Sequence, residues 1–359
     1  MALLEVEDLE VRFYTQDNVV HAVDGVSFEI DQGEKFAVVG ESGAGKSVTA
    51  LSVLQLIDSP GQIENGEIRF KGQNLLDMDK SEIRSIRGNE IAMVFQDAQT
   101  ALNPVYTVGE QIAEAVRHHL GYGEQEAREH SIQMLDRVGI PDPAERYSDY
   151  PHQFSGGMQQ RAVIAMALSC DPDLLICDEP TTALDVTIEA QILELLDEQA
   201  TEFDTAIQLI THDLGVVAEI CDRVMVMYAG KPVEKAPVVD LYYDPKHPYT
   251  VGLMSSIPRI GVEREELQTI SGTMPDLVEL PPGCSYHPRC PYAEESCTRR
   301  EPQLLDPTTG KPTEQATTKQ EVACLAYGDK FEGELSYRIK TNSRNPVTQS
   351  IDSGGKEHE

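Results

Sequence analysis

The sequence predicts an α/β fold: a parallel-sheet core with a helical insertion, an antiparallel edge sheet and a small cysteine-containing C-terminal extension. Three observations predict it. Short apolar runs at 36–39, 91–95, 174–177, 207–211 and 223–228 read as buried strands, and they alternate with stretches of helical periodicity. The stretch 97–154 carries helical patterns and no convincing strand, so it reads as an insertion between two core strands. After about Asp240, Pro and Cys become frequent and the periodicity fades.

Taken in order, Leu4, Val6, Leu9, Val11 and Phe13 alternate with polar residues, as do Val20, Val23, Val26, Phe28 and Ile30, and both sets predict antiparallel strands at a sheet edge. A turn at Gly33 leads into the first core strand at 36–39. A glycine-rich loop follows, and then a helix over about 45–56. Further helices are expected at 108–119, 124–138, 158–168 and 187–203. The polar stretch after about Tyr327 reads as a poorly ordered tail. These patterns divide the chain into a core over 1–240 with its helical part at about 97–157, an extension over 241–330, and a tail over 331–359.

Length allows one large hydrophobic core with an appendage: the chain has 359 residues. It has 61 acidic against 29 basic residues, a formal net charge of −32. That balance repels phosphate backbones and argues against a nucleic-acid partner. The acidic residues are spread along the chain, which reads as a surface adapted to a salt-accumulating cytoplasm rather than one acidic face. Trp is absent and aromatics are sparse, so a binding surface built from packed aromatics is not expected. Residues 1–11 lack a basic region and an apolar run, and no segment reaches the ~18–20 apolar residues that span a bilayer, so a cytoplasmic protein is expected. Cys170, Cys177 and Cys221 lie among apolar residues and read as buried thiols.

The chemistry is concentrated in two motifs. Gly40-Glu41-Ser42-Gly43-Ala44-Gly45-Lys46-Ser47 follows a predicted strand and opens a predicted helix, the context a phosphate-binding P-loop requires. Glycines let backbone N–H groups wrap phosphates, and the helix N-terminus adds a positive dipole end. Lys46 would reach the β- and γ-phosphates and the Ser47 hydroxyl would ligate Mg²⁺. Four apolar residues, Leu174 to Cys177, then deliver Asp178 toward that Mg²⁺, with Glu179 one residue on, placed to polarise an attacking water. ATP and Mg²⁺ are therefore the expected ligands of a P-loop NTPase core.

Phe154-Ser155-Gly156-Gly157-Met158-Gln159-Gln160-Arg161 resembles the signature motif of the ABC ATPase family. A Ser-Gly-Gly run opening a helix is itself an anion site. The resemblance covers about residues 3–240 and implies an ABC-type fold in which two subunits pair head to tail and Ser155, Gly156 and Gly157 face the partner's nucleotide. It also implies roles for further residues. Gln96 resembles the Q-loop glutamine, contacting Mg²⁺ or water. Ala183-Leu184-Asp185 resembles the D-loop, placing Asp185 at the dimer interface. His212, 33 residues after Glu179, resembles the switch histidine. Tyr14, with Phe13 as the alternative, is placed like the residue that stacks on adenine. Met158 and Cys177 depart from the commonest family residues but remove no catalytic group. With Lys46, Gln96, Glu179 and His212 all present, hydrolysis is expected.

In the extension, residues 245–250 and the run from Pro282 through Cys290 to Ala293 resemble the C-terminal region of dipeptide and oligopeptide importers, a region nickel importers share. The resemblance implies peptide uptake, with nickel or sugars as alternative cargo. It also implies two transmembrane permease subunits, a second ATP-binding subunit (paralogue or identical chain), an extracellular solute-binding protein, and a peripheral position on the cytoplasmic face of the membrane. Cys284, Cys290, Cys297 and Cys324 have the spacing C-x5-C-x6-C-x26-C. Four thiolates suit an iron–sulfur cluster or a zinc ion, with His287 as an additional ligand candidate. Some members of the subfamily carry a 4Fe–4S cluster with a resembling pattern, and a site without metal is the third reading. A soluble ABC ATPase of DNA repair or translation is the rival class. Those chains ordinarily carry two cassettes or a long coiled coil, whereas this one has one P-loop, one signature and no heptads.

Overall fold

The structure, a computed structural model, describes residues 2–181, 186–255, 270–312, 320–328 and Leu335. In chain order its strands are β1 (Leu4–Tyr14), β2 (Val19–Ile30), β3 (Lys35–Val39), β4 (Gly61–Phe70), β5 (Gln73–Asn74), β6 (Ile91–Val94), β7 (Leu174–Asp178), β8 (Ala206–Thr211), β9 (Arg223–Tyr228), β10 (Lys231–Pro237) and β11 (Glu321–Val322). They form two sheets. One is antiparallel, in the order β2-β1-β4-β5, and the other runs β11-β10-β9-β3-β8-β7-β6. Within the second, β9, β3, β8, β7 and β6 are mutually parallel, while β10 and β11 are added antiparallel at one end.

The amphipathic β1 and β2 behave as their alternation predicts, but they belong to a sheet of their own with β4. A bulge lets β1 keep its apolar face inward. Val6 and Leu9 are three apart yet both buried, because the register shifts at Asp8, which adopts φ 46. The third strand of that sheet, β4, is not announced by its sequence: of Gly61–Phe70 only Ile68 and Phe70 are buried, so it lacks a clear alternation.

The parallel strands are buried on both faces. Every residue of β7 and β8 is buried, which is why they read as continuous apolar runs. Alternate side chains serve opposite layers. Leu174, Ile176 and Ile210 pack with Val38, Ala50 and Val53 and with the antiparallel sheet. Leu175, Cys177 and Leu209 pack with Ile112, Leu135, Val163 and Leu168 of the helical insertion. The insertion lies between β6 and β7 and is built on the helices Val108–Leu120, Glu124–Arg137 and Gly156–Leu168. Thr107 caps the first of these, accepting from the Glu110 N–H, and Gly121 ends it at φ 70.

A third cluster joins the C-terminal part to the core. Val39, Val226 and Tyr228 pack with Tyr249 and Tyr286, and Cys284 and Cys290 border the cluster. The extension thus rests on the strand ends that lead into the glycine-rich loop, and Glu321–Val322 pairs with β10. Of the scattered cysteines, Cys170 and Cys177 are buried and Cys221 is half-buried. Leu335 apart, the tail expected over 331–359 lies outside the described residues.

Candidate functional site

The loop 40–47 leaves the buried end of β3 and enters the helix Lys46–Val53. Two of its glycines are required by contact as well as by backbone. Gly40 has φ 157, and a Cβ there would stand 2.3 Å from the Met227 carbonyl oxygen. Gly45 has φ 97, and a Cβ there would stand 2.4 Å from the Ala22 carbonyl oxygen. No other residue fits this close passage of chain against β9 and β2. The first helical turn carries no acidic side chain, so no carboxylate competes for its free N–H groups. Lys46 is buried and folds back on the loop, donating to Gly40 O at 2.9 Å and Glu41 O at 3.1 Å. Burial pulls its pKa below the ordinary lysine value, and the carboxylates of Glu179 and Asp178 act against that.

The end of β7 faces this loop. Asp178 accepts the Ser47 hydroxyl at 3.0 Å. Burial raises the Asp178 pKa and the neighbouring Glu179 charge adds to it, against the lowering effects of the Ser47 hydrogen bond and Lys46. Glu179 adopts φ 48, a left-handed backbone that costs a non-glycine residue about 1–3 kcal/mol. Its N–H donates to Ile210 O at 2.9 Å on the adjacent β8, which holds it in that conformation. The Glu179 carboxylate then gathers two partners. Gln96 Nε2 donates to Oε2 at 2.9 Å, and His212 Nδ1 lies 3.3 Å from Oε1. Gln96 follows β6 and His212 follows β8, so three neighbouring parallel strands deliver the three groups from their C-terminal ends.

Ser155, Gly156 and Gly157 lie elsewhere. Ser155 caps the helix Gly156–Leu168 by accepting from Met158 N, Ser155 and Gly156 are exposed, and Gly157 rests against Ile188. Among the described residues no hydrogen bond joins them to the loop 40–47. Tyr14 is the exposed member of its pair, its hydroxyl donating to Glu64 at 2.9 Å, while Phe13 packs on the core. Asp185, with Ala183 and Leu184, lies outside the described residues.

The four late cysteines all line one small cavity of about 20 Å³, together with His247, Tyr286 and His287. Yet among the described residues no group of three or more His, Cys, Asp or Glu side chains is arranged to hold a metal ion. The sequence spacing brings the four thiols to one cavity. Burial pushes the Cys324 thiol up to about 12 and Cys290 to about 11, and raises Cys284 as well.

Sequence reasoning missed the residues that hold the loop from the C-terminal side. Glu41 N donates to the Tyr249 hydroxyl at 2.9 Å, and Arg289 grips the Glu41 carboxylate through both oxygens, at 2.7 and 3.1 Å. Arg289 and Glu41 are 248 positions apart, and no local pattern announces such a pair.

A glycine-rich loop entering a helix, a strand-end carboxylate pair with a glutamine and a histidine on Glu179, and a helical insertion on this sheet fit an ATP-hydrolysing cassette of the ABC class. The comparisons agree. Residues 23–182 match the ABC transporter family, and residues 233–297 match the oligopeptide/dipeptide transporter C-terminal region. An ATP-binding cassette solved as a dimer in a post-hydrolysis state with ADP and phosphate is similar in structure, with a TM-score of 0.60 and 25% identity, covering 66% of this chain and 98% of that one. The chain belongs to the ATP-binding subunits of the dipeptide/oligopeptide ABC transporter family. It is 53% identical over 298 residues to the dipeptide transport ATP-binding protein DppD of Bacillus subtilis, covering 83% of this chain and 89% of that protein. It is 50% identical over 300 residues to the oligopeptide transport ATP-binding protein OppD of Salmonella typhimurium, covering 84% and 89%.

Proposed function

We propose that this chain hydrolyses ATP to drive uptake of di- and oligopeptides, acting from the cytoplasmic face of the membrane on two permease subunits. The single observation that carries the motor is the Glu179 carboxylate, held between Gln96 and His212 beside the Ser47–Asp178 pair. Glu179 orients and polarises the attacking water. His212 steadies Glu179 and sits where it senses the γ-phosphate. Lys46 lies within the loop, ready to exchange its carbonyl partners for phosphate oxygens. Ser47 and Asp178, a hydroxyl and a carboxylate in contact, suit Mg²⁺, which takes oxygen ligands and one or two carboxylates. When bound, that ion offsets charge on the phosphates. Gln96 completes the set and links it to the helical insertion.

The exposed helix start at Ser155–Gly157 supports pairing with a second ATP-binding subunit whose nucleotide it would face, with Asp185 at the same interface and Tyr14 against adenine. The insertion, at about 97–157 of a core spanning 1–240, exposes the apolar side chains of Val105 and Tyr106, 70% and 53% accessible, and of Tyr150, and Phe95 is exposed just ahead of it in the chain. Such an apolar group supports a permease-facing surface. Among the described residues no helix is long and apolar enough to cross a membrane, so contact with the bilayer would come through those partners. Peptide cargo is supported by the relatives' names and by the extension over 241–330.

For the thiol cluster, the finer reading is a structural metal centre held by Cys284, Cys290, Cys297 and Cys324, a 4Fe–4S cluster or zinc. Their convergence on one cavity supports it, and the absence of a ligating arrangement among the described residues weighs against it. Metal analysis of protein purified without oxygen decides: iron with acid-labile sulfide, zinc, or neither.

The transport reading is tested by uptake in cells lacking the gene, with labelled peptides, nickel and sugars offered in parallel. Loss of peptide uptake, restored by the wild-type chain and not by Glu179→Gln, is the expected result. Loss of only nickel or sugar uptake would replace the cargo, and no loss at all would remove the transport role.

A further inference from the structure

We propose that Arg289 and Tyr249 are positioning residues for the phosphate-binding loop, through which the C-terminal extension sets the affinity for ATP. Glu41, the second residue of the loop, is fixed at each of its polar groups. Its N–H donates to the Tyr249 hydroxyl, its carboxylate is gripped by Arg289, and its carbonyl accepts from Lys46 at 3.1 Å. Two of these three attachments come from the extension. Both are rigid. The Arg289 side chain is 6% exposed, and its Nε donates to Ser271 O at 2.8 Å while its terminal nitrogens reach Gly272 O and the Tyr228 hydroxyl. Tyr249 is fully buried, with ring centroids 4.7 Å from Tyr228 and 5.4 Å from Tyr286.

The electrostatic consequence is specific. Glu41 places a carboxylate in the very loop that must receive the phosphates of ATP. Left unpaired, that charge would repel them, and most strongly where the site is partly dehydrated. Arg289 neutralises it with a bidentate ion pair, the geometry in which a guanidinium binds carboxylate best. Arg289 touches no reacting atom, so it acts on binding through Glu41. Because Cys290 follows Arg289 directly and both Cys284 and Cys290 border the tyrosine cluster, changes at the thiol cavity have a short route to the loop.

The inference rests on ATP occupying this loop, and the test separates the two. Binding of a fluorescent ATP analogue and steady-state hydrolysis are measured on the full chain, with melting curves alongside. Arg289→Ala should weaken ATP binding about tenfold, with a smaller change in kcat, as loss of a single charge-assisted contact predicts. Glu41→Gln added to Arg289→Ala should restore most of the affinity, because the repelling charge is gone. A purely structural role for Arg289 would not be rescued that way. Tyr249→Phe keeps the ring packing and removes the acceptor, and should weaken binding about threefold. If Arg289→Ala does not fold, this variant decides. Affinities within twofold of wild type, or failure of Glu41→Gln to rescue a folded Arg289→Ala, would overturn the proposal. A wild-type chain that bound no ATP would instead remove the nucleotide reading beneath it.

Discussion

The Gln96 amide donates to the Glu179 carboxylate at 2.9 Å, tying the entry to the helical insertion to the strand end that carries the carboxylate pair. A movement of the insertion that carried Gln96 with it would stretch or break this bond and so couple the insertion's position to the orientation of Glu179. Glu179→Gln keeps the shape and removes the charge proposed to polarise the attacking water. Hydrolysis should fall about 10²–10⁴-fold, the usual contribution of a general base, while ATP binding persists. Phosphate release and nucleotide binding measured on the same preparation check it, and a variant that lost both equally would place Glu179 in binding instead.

Glu179 and the residues of the phosphate loop are legible because each belongs to a short pattern with its own chemistry. Gly40 to Ser47 and Leu174 to Glu179 are local sequences whose strand-loop-helix or strand-end context is enforced by a few neighbours. His212 and Gln96 were legible only through resemblance, since a single His or Gln after an apolar run is chemically ambiguous. What stayed hidden depends on long-range register. The bulge at Asp8 of β1 is shaped by pairing with β2 and β4, and the strand Gly61–Phe70 by pairing with β1, and the pairing partner is not written in either segment. The Arg289–Glu41 pair joins residues 248 positions apart. The cysteine spacing signalled that four thiols converge, but spacing along a chain does not set distances between sulfurs.

Gly45 gives a second prediction. Alanine there must adopt φ 97 and bring its Cβ to 2.4 Å from the Ala22 carbonyl oxygen. Backbone, not a flexible side chain, is in the way, so either the loop or β2 must move. Because Lys46 and Ser47 follow immediately, Gly45→Ala should abolish detectable ATP binding while the far side of the core stays folded. Nucleotide titration together with circular dichroism checks it. Retained binding would show that the loop has slack the packing does not suggest.

Asp24 supplies a test of stability against pH. Burial pulls its pKa up, but hydrogen bonds from Lys231 and Arg12 outweigh burial and hold it below the ordinary aspartate value. The folded state therefore binds this proton less tightly than the unfolded chain does. The sign is fixed by linkage: the stabilisation is fully present above the unfolded pKa and is lost as pH falls through the lower folded one. Asp24→Asn should cost about 1–2 kcal/mol at neutral pH, allowing for solvent screening of a partly exposed pair. The gap between variant and parent should narrow below about pH 4. Urea unfolding at several pH values checks it, and a gap that stays constant into acid would refute the ion-pair account.

Net charge sets the last prediction. With 61 acidic and 29 basic residues the chain carries a formal −32, so lysines and arginines can offset fewer than half of its carboxylates one to one. Self-repulsion of this size opposes compaction more than it opposes the expanded chain, because folding brings like charges closer. Added salt shortens the screening distance from about 10 Å at 0.1 M to about 3 Å at 1 M and removes much of that cost. The melting temperature should therefore rise steadily with potassium chloride over this range. It should rise less in a variant with several exposed glutamates changed to glutamine, because there is less repulsion left to screen. Potassium sulfate at matched ionic strength separates screening from surface exclusion, since only exclusion should favour sulfate strongly. A melting temperature flat in chloride would mean that the acidic surface is already neutralised by local pairing, and would remove the salt-adapted reading of the composition.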